Sequence, residues 1–169
     1  MLAVLADLAI LIVILICLIT DLRERKIYNK VVLPAAAAGI ILNTAHQGLP
    51  GLRTSITGLL AGVLIFIVPF ALGGLGAGDV KLLGAVGALK GPLFALYTAL
   101  ATALIGGVIA ILVLLWQSRL LSTLKRLGVA LVGGGGKEAL RFIDRTPYSS
   151  LIPYGLAIFL GTIAAYLVS

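Results

Sequence analysis

Residues 2–20 read LAVLADLAILIVILICLIT, a run with one acid and no basic side chain. At 1.5 Å per residue such a helix is about 28 Å long, close to the hydrocarbon thickness of a bilayer. The run passes directly into DLRERK and has no basic residue ahead of it, so it reads as a retained span rather than a cleaved signal peptide. Further apolar stretches follow at roughly 30–46, 54–72, 79–89, 92–116 and 148–168, divided by short polar or glycine-rich turns. Of the 169 residues 61% are hydrophobic and only 11% charged, where a soluble domain carries about a quarter. The expected architecture is an all-α, polytopic bundle of six transmembrane helices forming one integral-membrane domain over 1–169.

Between the fifth and sixth stretches, residues 117–147 form the one long polar segment. Its first part, SRLLSTLKRLGVALV, is basic and amphipathic, as suits a short helix lying on the cytoplasmic membrane surface, and GGGG at 133–136 is a break. Six spans put both termini on one side. With the N-terminus outside, 11 of the 13 basic residues fall in inner loops and only Arg53 and Lys90 fall outside. The positive-inside rule therefore favours an inner membrane protein with both termini extracytoplasmic. The net charge of +7 is accounted for in this way, and no nucleic-acid motif accompanies it. Cys17 and His46 are each the single residue of their type, which offers no disulfide and no metal-ligand spacing, and no cofactor motif is evident.

The six acids sort by position. Glu138 and Asp144 lie in the long polar segment and read as solvated, and Glu24 lies among Arg23, Arg25 and Lys26. Asp7, near the outer end of the first span, either snorkels outward or bonds a neighbouring helix. Asp21 ends the first span and Asp79 begins the fourth, so the topology brings both to the inner face from two helices. Two carboxyls held close share a proton. The ionised one can take a proton from water while the protonated one polarises a peptide carbonyl, which is aspartic peptide hydrolysis without metal or nucleophile. An alternative is a small transporter or proton-relay protein using Asp7, Asp21 and Asp79, although ion pathways usually place acids near the midplane.

Asp79 follows a glycine run, GGLGAGD. Gly76 and Gly78 would permit positive φ and let a substrate backbone approach. The other reading is a packing loop with Asp79 as N-cap of the fourth helix. Gly58 and Gly62 give the third span a small-xxx-small packing face. At the start of the sixth span, Pro153, Tyr154 and Gly155 either border the same inner-face site or make a helix start with an interfacial aromatic anchor.

Three stretches carry a family resemblance: TDLRERKIYN at 20–29, GAGDVKLLGAVG at 76–87 and IPYGLAI at 152–158. Together they resemble the type IV prepilin peptidase family, the GxGD membrane aspartic peptidases, and most closely its short members that serve Flp-type pilus systems. The resemblance implies catalytic roles for Asp21 and Asp79. It further implies substrate contacts from Gly76, Gly78, Lys81, Pro153, Tyr154 and Gly155. The implied partner is a prepilin with a basic leader in the cytoplasm and an apolar helix in the bilayer, cut at the inner face after a glycine. Longer family members carry paired Cys-x-x-Cys motifs and also N-methylate the product. This chain has one cysteine, which makes methyltransferase activity unexpected.

Overall fold

The structure is a computed structural model, and it describes residues 2–116 and 154–168. Within them the chain is helical: α1 (Leu2–Glu24), α2 (Asn29–Gln47), α3 (Leu49–Ala71), α4 (Ala77–Lys90), α5 (Pro92–Trp116) and α6 (Tyr154–Val168). The expectations for 117–147 and for Pro153 lie outside the described residues.

Helix breaks follow local chemistry. Gly48, at φ 65°, is the single residue between α2 and α3, so the segment expected as a polar turn is mostly helical. Helix α3 starts at Leu49 instead of 54, with Pro50 in the first turn where a missing N–H costs nothing. Pro69 lies inside α3, which ends two residues later. Gly91, at φ 93°, ends α4, and Pro92 opens α5.

Helix α4 is the axis of the bundle, packed against α1, α2, α3, α5 and α6. Leu82 to Leu89 are all buried, although the helix has little apolar–polar asymmetry in its sequence. The closest packing is against α3, where a methyl on Gly58 would run into the carbonyl of Gly87, and one on Gly62 would come within 2.7 Å of the Leu83 carbonyl carbon. Small residues let these backbones meet, the mode expected of helices that gain nothing from apolar burial alone. Asn43 on α2 adds polar ties, donating from Nδ2 to Ser55 Oγ at 2.9 Å and to the Ala88 and Leu89 carbonyls at 3.1 Å. Cys17 is buried in the apolar cluster with Val32, Phe66 and Leu83.

Three helical stretches are long and apolar enough to cross a bilayer: Val4–Glu24, Leu49–Ala71 and Pro92–Val113. Apolar side chains cover their outer faces, among them Leu5, Ile12, Leu60, Leu64, Leu104 and Ile111. Helix α4, at 14 residues, is about 21 Å long, shorter than the hydrocarbon layer. Its flanks are covered by protein, so it has no need to match the lipid thickness.

Candidate active site

Helices α1 and α4 run antiparallel, which brings Asp21, in the last turn of α1, to the first turn of α4 where Asp79 sits. Both side chains line one pocket of about 390 Å³. Its other walls are the α1–α2 connection, with Arg25, Lys26, Ile27 and Tyr28, then Asn29, and the glycine loop from Gly76 to Gly78. The topological expectation that these two acids meet at one end of the bundle is met.

Asp79 is 6% exposed. It is the third residue of α4 rather than its cap: Gly76 is the N-cap, and its N–H donates to Asp79 Oδ2 at 2.9 Å. The bond satisfies one of the N–H groups that the start of the helix leaves without a backbone partner. The N-cap position is close to the packing alternative, yet this geometry leaves the acid on the pocket wall.

Asp21 is half-buried and receives a bond from a third helix. The Gly155 N–H, in the first turn of α6, donates to Asp21 Oδ2 at 2.7 Å. A Cβ on Gly155 would lie 2.7 Å from that oxygen and 2.8 Å from the Asp21 Cβ. Each acid is thus held by a glycine N–H at a helix start: its own helix for Asp79, α6 for Asp21.

Gly76 and Gly78 do not act through positive φ. Gly76 is extended, at φ −82° and ψ 153°, and the positive-φ glycines among the described residues are Gly48, Gly73 and Gly91. Close approach explains them instead. A Cβ on Gly78 would sit 2.7 Å from the Ile27 Cβ, and one on Gly76 would press to 3.1 Å on Asp79 Oδ2. Gly78 lets the α1–α2 connection lie against this stretch, and that contact forms part of the pocket wall. Backbone freedom in GGLGAGD falls to Gly73, at φ 76°.

Lys81 does not itself line the pocket, but its Nζ donates to Asn29 Oδ1 at 3.0 Å, and Asn29 does. Tyr154 lines a second, apolar cleft beside the loop. Sequence reasoning did not single out Ile27 or Arg25 and Lys26 as walls. The signal was present in the dense charge of DLRERK next to an apolar residue, but Ile27 meets Gly78, 51 residues further along the chain.

The opposite end of the bundle is built differently. Asp7 Oδ1 lies 2.5 Å from Lys90 Nζ and accepts from the Tyr166 hydroxyl at 2.8 Å. The Lys90 ammonium also sits over the rings of Phe94 and Tyr166, 5.8 and 5.1 Å from their centroids. Asp7 therefore bonds neighbouring helices, about 21 Å along α1 from Asp21.

Comparison with protein-family models gives one finding: the model for the type IV leader peptidase family matches residues 8–111. The matched stretch contains Asp21 and Asp79 and the whole glycine loop. Searches of curated proteins and of solved structures find no match.

Proposed function

Because the chain belongs to the type IV leader peptidase family, we propose that it is an intramembrane aspartic endopeptidase that removes the basic leader from Flp-like type IV prepilins. Asp21 and Asp79 form the catalytic dyad. The observation that carries this reading is the pocket of about 390 Å³ whose walls include both carboxyls.

In this reading a substrate strand enters between the α1–α2 connection and the glycine loop. One carboxylate takes a proton from water, and the other acid donates to the scissile carbonyl as the tetrahedral adduct forms. The two then exchange roles as the amine leaves. Each glycine N–H occupies one carboxyl oxygen, and a carboxylate accepts on both, so the bonds orient the acids without exhausting them. No metal, cofactor or nucleophilic side chain takes part. The product amine is left unmethylated.

The site faces the cytoplasm in this reading, and all six helices belong to the membrane domain. Arg23, Arg25, Lys26, Lys30 and Lys81 lie at the dyad end, while Lys90 lies at the other with Asp7. This distribution suits an inner-membrane protein with its positive end inside. The proton-relay alternative loses support because Asp7, its third acid, is engaged with Lys90 and Tyr166.

The test is direct. Purified protein mixed with a prepilin in detergent or vesicles should shorten it by the leader. Asp21→Asn and Asp79→Asn should each lower the rate by about 10²-fold or more, the scale of a lost general acid or base. Near-normal cleavage by either variant would remove the dyad.

A further inference from the structure

The connection between α1 and α2 runs from Arg25 to Tyr28 and is held along its length. Arg25 has φ 54°, the one positive value at a non-glycine among the described residues. Its N–H donates to the Asp21 carbonyl at 2.9 Å, which closes α1 in the left-handed ending that glycine usually supplies. A side chain at such a position costs backbone strain that glycine would avoid. Further along, Ile27 packs on Gly78 with no room for a Cβ there, and the Tyr28 hydroxyl donates to the Glu24 carboxylate. The connection is therefore a set wall. Both of its cations, Arg25 and Lys26, line the dyad pocket.

We propose that Arg25 and Lys26 are specificity-determining residues that keep cationic side chains of the substrate away from the dyad; the assignment rests on the peptidase reading above. The charges give the sign. The charged residues that line the pocket are Asp21, Asp79, Arg25 and Lys26. Two carboxyls sharing one proton hold a single negative charge, against two positive ones on the wall. Of the other charged residues described at this end, Arg23, Lys30 and Lys81 outnumber Glu24, which accepts from Tyr28. A Lys or Arg side chain entering the chamber therefore meets net repulsion. The proposed substrate makes such a filter useful. Its leader is basic, and an ammonium paired with either acid would hold down the carboxylate that has to take a proton from water. A positive wall leaves only strand positions past the end of the basic run able to sit at the dyad. It sets the register of the cut by repelling wrong registers as well as by fitting the right one. The strain at Arg25 is then the cost of fixing a charge four residues from Asp21.

The experiment uses the full chain in phosphatidylcholine vesicles and three prepilins that carry Glu, Gln or Lys two residues before the scissile bond. The unaltered protein should favour the Gln form over the Lys form by about tenfold or more in kcat/KM, a modest share of what juxtaposed like charges cost in an interface. The Glu form should be cut no more slowly than the Gln form. Arg25→Gly combined with Lys26→Gln should bring the Gln-to-Lys ratio close to unity. Glycine suits the left-handed conformation at position 25, so this variant keeps the fold. Arg25→Lys should preserve the ratio, and so should Arg23→Gln, which lies outside the pocket lining. Equal cleavage of the Gln and Lys forms by the unaltered protein overturns the filter. A ratio that survives the loss of both cations overturns it too, because side-chain size and not charge would then be selected. Failure of the peptidase reading looks different: the unaltered protein would cut none of the three prepilins, or Asp79→Asn would cut them all.

Discussion

The backbone N–H of Gly155 donates to Asp21 Oδ2 at 2.7 Å, across a gap of 134 residues in sequence. Nothing larger than hydrogen fits on Gly155, since its Cβ would fall within 3.0 Å of the Asp21 Cβ, Cγ and Oδ2. Gly155→Ala should therefore push the carboxyl from its position. The expected result is a fall in kcat of about tenfold or more, equivalent to about 1.4 kcal/mol of barrier, with KM little changed. Steady-state kinetics on a prepilin checks it, and an unaltered kcat would show that the bond does not orient the acid during turnover.

Asp79 has a structural duty as well as its proposed chemical one. Its carboxyl accepts the Gly76 N–H at the start of α4. Asp79→Ala should cost about 1 kcal/mol of stability beyond abolishing cleavage, whereas Asp79→Asn, which keeps an acceptor oxygen, should lose activity with a smaller fall in Tm. Thermal melts of the two variants side by side would show the difference, and identical melts would count against the capping role.

Gly78→Val should impair cleavage strongly. The cause is collision with Ile27, whose Cβ would be 2.7 Å from the new Cβ, which separates the α1–α2 connection from the loop. Val at Ala37, on the exposed face of α2, is the control and should be silent. If the two variants cleave equally well, the Ile27 contact does not shape the site.

The Asp7–Lys90–Tyr166 cluster should matter for stability and not for chemistry. Lys90→Met and Tyr166→Phe each remove a partner of Asp7 at a partly exposed site, where such pairs contribute about 1 kcal/mol or less. A small drop in Tm with unchanged kcat is expected. A large loss of kcat in Lys90→Met with the fold intact would revive a relay that runs through Asp7.

Asn43→Ala should leave Ser55 Oγ and the Ala88 and Leu89 carbonyls without its amide. Interhelical bonds of this kind contribute about 0.6 kcal/mol each in membrane bundles. A Tm decrease is therefore expected, with little change in cleavage, because the network lies at the far end of α4 from Asp79. Loss of cleavage without loss of Tm would mean that Asn43 does more than hold α2, α3 and α4 together.

Apolar run length and helix punctuation were legible in the sequence, because they depend on neighbours along the chain. The residues of α1, α3 and α5 are long and apolar enough to span, whatever they pack against. Gly91 followed by Pro92 marks a helix end and start by local geometry alone. The meeting of Asp21 and Asp79 at one end also followed from sequence, since antiparallel helices leave the end of the first beside the start of the fourth. What the tertiary structure decided were the reasons for particular residues. Gly76 and Gly78 were expected to supply positive φ, but φ at a glycine is chosen by what packs against it, here Ile27 and the Asp79 carboxyl. Asp7 had two possible fates, and the choice came from Lys90 and Tyr166 arriving on α4 and α6. Gly155 gave no sign along the chain of holding Asp21. A hydrogen bond over 134 residues exists only because α6 packs antiparallel to α1, and that packing is a property of the folded bundle.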